Sequence, residues 1–175
     1  AHNNEYVPEH WQRRAWLTNF TGSYGEALVG KNQAYLWTDP RYYLQASLEL
    51  DEKQFQLMKQ IQGVAAPVSA WLSENAKNAT VGVDPAVLSL SQSRQWSTIL
   101  SSINGKLTAV SENLVDQLHK SEAPHFKPAR ILNVKYTGLT ASEKLAHVRS
   151  EMQKVRADSL VVSQLDEIAW VFNIR

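Results

Sequence analysis

Residues 10–50 read HWQRRAWLTNFTGSYGEALVGKNQAYLWTDPRYYLQASLEL, and this stretch decides the fold. Pro8 suits the first turn of a helix and Glu9 complements its dipole. From there Trp11, Ala15 and Trp16 share one face, with Arg13 and Arg14 on another. That spacing predicts an amphipathic surface helix with solvated arginines. Leu17-Thr-Asn-Phe-Thr-Gly-Ser-Tyr-Gly25 breaks it, with two glycines that permit turns other residues resist. Glu26–Gly30 and Ala34–Thr38 are β-prone and joined by the polar turn Lys31-Asn32-Gln33, of hairpin length. Asp39 can cap the next helix with Pro40 at its first position, and Tyr43, Ala46 and Leu50 give that helix an apolar stripe.

Beyond this block strand and helix alternate. Strands are predicted at Gln54–Lys59, Thr80–Asp84 and Lys106–Val110. Helices are predicted within Val64–Asn75 (starting near Pro67), at Ser91–Ile103 and at Asn113–His119. Trp96, Ile99, Leu100 and Ile103 fall on one helical face. The alternation implies an α/β layered sheet with crossover helices. Ser121–Arg130 holds two prolines and no periodicity and reads as linker. Thr140-Ala-Ser-Glu143 is a capping box opening a helix striped by Leu145, Val148, Met152 and Val155. A strand at Ser159–Ser163 and an apolar helix at Leu165–Phe172 follow.

The bulk composition excludes several functions. The chain has 175 residues, 43% apolar and 20% charged, ordinary for a soluble globular protein. A net charge of +1 argues against a general nucleic-acid or anionic-membrane field, and Glu5, Glu9 and Glu26 around the paired arginines argue the same way. The absence of cysteine removes disulfides, thiol catalysis and thiolate metal sites, and fits a reducing compartment. No apolar run approaches the ~20 residues that span a bilayer, and the start shows no signal segment. The expectation is a cytoplasmic protein without nucleic-acid or membrane partners.

Side-chain chemistry is sparse. His2, His10, His119, His125 and His147 form no H-E-x-x-H pattern. Gly22-Ser23-x-Gly25 lacks the spacing and lysine of a phosphate-binding loop, and no G-x-S-x-G elbow surrounds Ser23. No catalytic or metal-binding residue is assigned. Arg41 and Arg175 are the two substrate-adjacent candidates, because a guanidinium stays charged and can hold a carboxylate with two bonds. Tyr42 and Trp170 read as core.

Arg13-Arg14-x-Trp16-Leu17-x-x-Phe20-Thr21-Gly22-Ser23, followed by Leu36-Trp37-Thr38-Asp39-x-Arg41-Tyr42-x-x-Gln45, resembles the N-terminal region of Xaa-Pro aminopeptidases, in the creatinase, prolidase and aminopeptidase P family. Ala1-His2-x-x-Glu5-Tyr6, Val81-Gly82-Val83-Asp84-Pro85 and Leu165-Asp166-Glu167-Ile168-Ala169-Trp170-x-Phe172-Asn173-x-Arg175 agree in the same order. The last points to the longer, three-domain members over a prolidase or creatinase. The resemblance implies a creatinase/prolidase N-terminal-type, ribonuclease H-like mixed sheet flanked by helices. It divides the chain into a first domain at 1–130 lacking its leading helix and strand, a linker at 131–139, and the beginning of a second domain at 140–175. It implies a parent that removes the N-terminal residue from peptides with proline second. Two divalent metal ions, usually manganese, would lie in a pita-bread domain that nothing here matches, and this region would contribute a homodimer surface and channel walls. A stand-alone creatinase-fold dimerisation module is the alternative. Pro40 stands where the family usually has glycine, which fixes φ at the helix start. The order helix, Ala157-Asp158-Ser-Leu-Val-Val-Ser163, aromatic helix echoes the usual opening of the first domain. It raises the expectation that 141–155 and 159–163 replace its missing elements, within one chain or by exchange between two.

Overall fold

The computed structural model describes residues 7–61, 67–120 and 127–175. These fall into two compact units, 7–120 and 127–175.

In the first unit, a 3₁₀ turn at Glu9–Trp11 precedes helix α1 (Arg13–Thr18), which ends at Asn19 in the left-handed conformation. Strands β1 (Glu26–Val29) and β2 (Ala34–Thr38) form the expected antiparallel hairpin, Glu26 opposite Trp37 and Val29 opposite Ala34. A 3₁₀ turn at Pro40–Tyr42 leads into α2 (Tyr43–Glu49). The crossover returns the chain as β3 (Gln56–Lys59), parallel to β2 with Tyr35 opposite Gln56. Then come α3 (Pro67–Asn75), β4 (Thr80–Val83), α4 (Leu90–Ser102), β5 (Lys106–Ala109) and α5 (Leu114–Leu118). The α/β class is as expected, but the strands divide into a mixed sheet β1-β2-β3 and a parallel pair β4-β5, with no ladder between them among the described residues. Helix α4 is capped by Ser89 in a reciprocal box with Gln92, two residues before the predicted start.

Strand β2 is buried along most of its length, and its pleat feeds two clusters. Tyr35 and Trp37 join Val68, Leu72, Ala76 and Leu100 on one face, with Leu28, Val81 and Leu107 packed against them. Leu36 joins Phe20, Ala46, Leu50 and Phe55 on the other. The predicted α4 stripe faces the first cluster through Trp96, Ile99, Leu100 and Ile103.

The paired arginines depart from the expected solvated face. Arg13 forms an ion pair with Asp116 of α5, Nε to Oδ1 at 2.6 Å and Nη2 to Oδ2 at 2.8 Å. Arg14 is half-buried. Its Nη1 donates to Gly25 O at 2.9 Å and its Nη2 to Gly22 O, with the guanidinium 5.3 Å from the Phe20 ring centre. Burial lowers its pKa. The turn after α1 presents inward-facing carbonyls, and a long cation satisfies them better than water would.

In the second unit, α6 (Val134–Thr137) and an antiparallel bridge between Ile131 and Ile174 occupy part of the stretch read as linker. Helix α7 (Ala141–Lys154) starts at the predicted capping box, with Thr140 Oγ1 and Glu143 Oε2 serving each other's backbone amides. Helix α8 (Leu165–Phe172) ends at Asn173 in the left-handed conformation. The predicted strand at 159–163 is absent: Leu160 and Val161 are 58% and 89% exposed and join no ladder. A strand needs a partner edge, and this unit offers none among its described residues. Residues 127–175, which hold 141–155 and 159–163, form a compact unit of their own.

Candidate functional site

The corner where β2 ends carries Arg41. Asp39 leaves the strand with extended backbone, and its Oδ1 accepts the Arg41 amide at 3.0 Å, the cap that the sequence predicts. Pro40 fills the position where no N–H is required. Its fixed φ opens a 3₁₀ turn, and the α-helix begins only at Tyr43. The Arg41 guanidinium folds back on the Asp39 carboxylate, Nη2 to Oδ2 at 2.7 Å, and sits 5.1 Å from the Tyr42 ring centre. The hydrogen bond from the Arg41 side chain holds the Asp39 carboxyl below its ordinary pKa. The Arg41 side chain is 67% exposed and that of Asp39 20%.

The neighbouring Thr-Gly-Ser loop is tied to the same corner. Ser23 Oγ lies 2.6 Å from Tyr42 OH, so its partner is a phenol, and among the described residues no imidazole stands there to act as base. Thr21 donates through its amide and its hydroxyl to Glu49, both at 2.8 Å, and Gln45 donates to Glu49 Oε1 at 2.9 Å. These bonds hold the Glu49 pKa down against the opposing effect of desolvation, the largest single influence. A Cβ on Gly22 would run into the Phe20 ring and lie 2.9 Å from the Tyr42 ring, so only glycine lets this loop pass so close to the aromatics. Tyr42 packs against the second cluster, as core.

Arg175, the other sequence candidate, lies in the second unit. It exchanges both backbone hydrogen bonds with Arg130, at 2.9 and 3.0 Å, and its side chain is exposed. What fixes this end is a residue that periodicity does not single out. Lys144 is buried on α7, where an apolar stripe was expected to do the packing. Its Nζ donates to Trp170 O and Asn173 Oδ1, each at 2.7 Å, and stands 4.2 Å from the Trp170 ring centre. Asn173 Nδ2 in turn donates to Leu139 O at 2.8 Å. A lysine beside a helix C-terminus satisfies carbonyls that the helix leaves open. Trp170 is 58% exposed, more open than a core reading implies.

The histidines are accounted for individually. His119 stacks on Trp16 at 4.9 Å, His10 lies against Trp11, and His147 is exposed on α7. His2 and His125 lie outside the described residues. Among the described residues no three His, Cys, Asp or Glu side chains are grouped to hold a metal ion.

This hairpin, capped corner and crossover define a class. Residues 7–118 match the creatinase/prolidase N-terminal domain family, and residues 120–175 match a second family of the same description. The chain belongs to the creatinase/prolidase N-terminal domain family. Its relatives are Xaa-Pro aminopeptidases. It is 39% identical over 180 residues to Xaa-Pro aminopeptidase 2 of Homo sapiens, covering 100% of this chain and 26% of that protein. It is 38% identical to an Xaa-Pro aminopeptidase of Drosophila melanogaster, covering 29% of it. An X-prolyl aminopeptidase from Caenorhabditis elegans, described as a cytosolic enzyme with a di-nuclear active site, superposes with a TM-score of 0.87 at 31% identity, over 99% of this chain and 29% of that one. The region therefore resembles the N-terminal part of Xaa-Pro aminopeptidases, and it spans under a third of these relatives' length.

Proposed function

We propose that these 175 residues are the non-catalytic N-terminal region of a cytoplasmic Xaa-Pro aminopeptidase, comprising a first creatinase-like domain and the beginning of a second. The observation that carries this reading is similarity along the whole chain, 39% identity over 100% of it, to about a quarter of a relative of that activity. The parent enzyme would release the N-terminal residue ahead of proline. Its two divalent ions, manganese by family resemblance, would be held outside these residues, whose described part groups no suitable ligand set. No helix among the described residues is long and apolar enough to cross a membrane, and the Caenorhabditis elegans relative is described as cytosolic.

In this reading the region lines the substrate channel and contributes to a homodimer. Arg41 is a positioning group for the peptide carboxylate, since its side chain is exposed and a guanidinium stays charged and can hold a carboxylate with two bonds. Arg175 is the second such group. The test uses purified 1–175 beside the full gene product, with an Xaa-Pro peptide and manganese. The full product should cleave and 1–175 should not; metal-dependent cleavage by 1–175 would overturn the reading. Arg41→Ala in the full product should raise KM roughly tenfold with kcat little changed, the loss of one charged contact, and Arg41→Lys should recover part of it. An unchanged KM removes Arg41 from the channel.

A further inference from the structure

Helix α4 passes into β5 through a turn whose two central positions are each narrowly constrained. Asn104 has φ 58°, a left-handed backbone that glycine and asparagine enter most readily. Gly105 is required by space: a Cβ there would stand 3.0 Å from both Ala76 O and Ala79 O and 3.2 Å from Leu100 Cδ2. The turn thus sets an asparagine directly before a glycine, and Asn104 is the only asparagine of the chain in that position.

That order has a chemical consequence. A glycine nitrogen, with no side chain beside it, is the peptide nitrogen best able to reach the carboxamide carbon of the residue before it. Asn104 is exposed, and its carboxamide makes no hydrogen bond among the described residues. The side chains of Asn75, Asn113, Asn133 and Asn173 are each held by one. What restrains Asn104 is the backbone. Gly105 N donates to Leu100 O at 2.7 Å, while the adjoining bond from Asn104 N to Ser101 O is long, at 3.3 Å. Helix ends of this kind open locally without global unfolding.

We propose that Asn104 is a site of spontaneous deamidation, reached when the end of α4 frays. Once released from Leu100, the Gly105 nitrogen loses its proton to hydroxide and bonds to Asn104 Cγ. The carboxamide nitrogen leaves as ammonia, taking a proton from water, and a succinimide ring closes. Water then opens the ring at either carbonyl, giving aspartate or isoaspartate; one water enters and one ammonia departs. Isoaspartate adds a carbon to the backbone between α4 and β5. The bonds from Asn78 N to Ile103 O at 3.1 Å and from Lys106 N to Ala79 O at 2.8 Å bracket the turn, so the extra atom is absorbed where the β4–β5 pairing begins, at Thr80 opposite Lys106. This inference is independent of the peptidase reading, because it concerns the chemistry of one turn.

The test incubates the 175-residue chain in warm, mildly alkaline buffer beside a synthetic peptide of residues 98–110, and follows both by peptide mass spectrometry. Asn104 should convert to a chromatographically separable pair, aspartate and isoaspartate, ~10–100-fold more slowly than in the peptide, the protection that local opening at a helix end leaves. Asn104→Gly keeps the left-handed backbone and removes the carboxamide. Aged parent protein should gain a population that unfolds at lower urea, and aged Asn104→Gly should not. An Asn104 still wholly amide when the peptide has fully converted overturns the proposal. So does conversion as fast as in the peptide, earlier conversion of another asparagine, or the same low-urea population in aged Asn104→Gly.

Discussion

Lys144→Met keeps the volume and the flexible stem of the side chain but removes the ammonium. The buried amine makes two bonds of 2.7 Å, to Trp170 O and Asn173 Oδ1, and covers the Trp170 ring at 4.2 Å. Hydrogen bonds to charged groups contribute ~1.5–3 kcal/mol each, and a desolvated cation–π contact ~2 kcal/mol. Against this stands the cost of dehydrating the ammonium, several kcal/mol, which methionine avoids. Two acceptors are left facing an apolar side chain, at ~1–3 kcal/mol each where they stay dry. The balance is a destabilisation of ~2 kcal/mol, confined to 127–175, where no apolar side chain is fully buried. Amide hydrogen exchange reads it directly. The Leu132 amide, bonded to Asn173 O at 2.7 Å, and the Ile174 amide, bonded to Ala169 O at 3.0 Å, report on this node. Both should exchange ~30-fold faster, since ~1.4 kcal/mol is a factor of ten. The β2–β3 amides should be unchanged. Protection at Leu132 and Ile174 that stays within ~3-fold of the parent would refute the account, and the lysine would then be a passenger.

Two smaller predictions concern the first unit. Gly22→Ala forces a methyl against Tyr42 and Phe20 and should cost ~1–3 kcal/mol, seen as a lower urea midpoint with the slope unchanged; an unshifted midpoint would mean that the loop gives way freely. Glu26 has its carboxyl pKa raised by burial, opposed by the Gln92 hydrogen bond. Its folded form thus holds a proton that the unfolded chain has lost, so stability falls as pH rises from about the ordinary carboxyl value of 4.5 through the raised one. Glu26→Gln should flatten that slope and raise the melting temperature at pH 7 by roughly 1–2 °C, a small gain because the group is only partly buried. A lower melting temperature at pH 7 would show that the charge itself is stabilising.

Where the residues declare local chemistry, the chain was legible in advance. The hairpin followed from a polar turn between β-prone runs, the Asp39 cap from its place before proline, and α7 from its Thr140–Glu143 box. The division of the strands into a mixed sheet and a separate parallel pair was less accessible, because pairing partners are a non-local property that strand propensity does not encode. Ser159–Ser163 shows the same limit from the other side: its residues favour a strand, but a ladder needs a second edge. Arg14 was missed because its partners are backbone carbonyls, which have no letter in a sequence, and Lys144 because it joins one such carbonyl to a side chain 29 residues away. The left-handed Asn173 was the one available hint of the second, since asparagine tolerates that conformation at helix ends. Arg41 and Arg175 were singled out by residue type alone, and their surroundings became visible only with the fold.

Strand β2 sends Tyr35 and Trp37 into one cluster and Leu36 into the other. A party wall of this kind makes the two interiors accountable to a single reading frame. One residue added to or removed from Lys31-Asn32-Gln33 would shift the hairpin by one step and offer each interior the side chains cut for the other. The turn is exposed and polar, the sort of place where length usually drifts, yet its length is fixed from both sides of the strand that follows it.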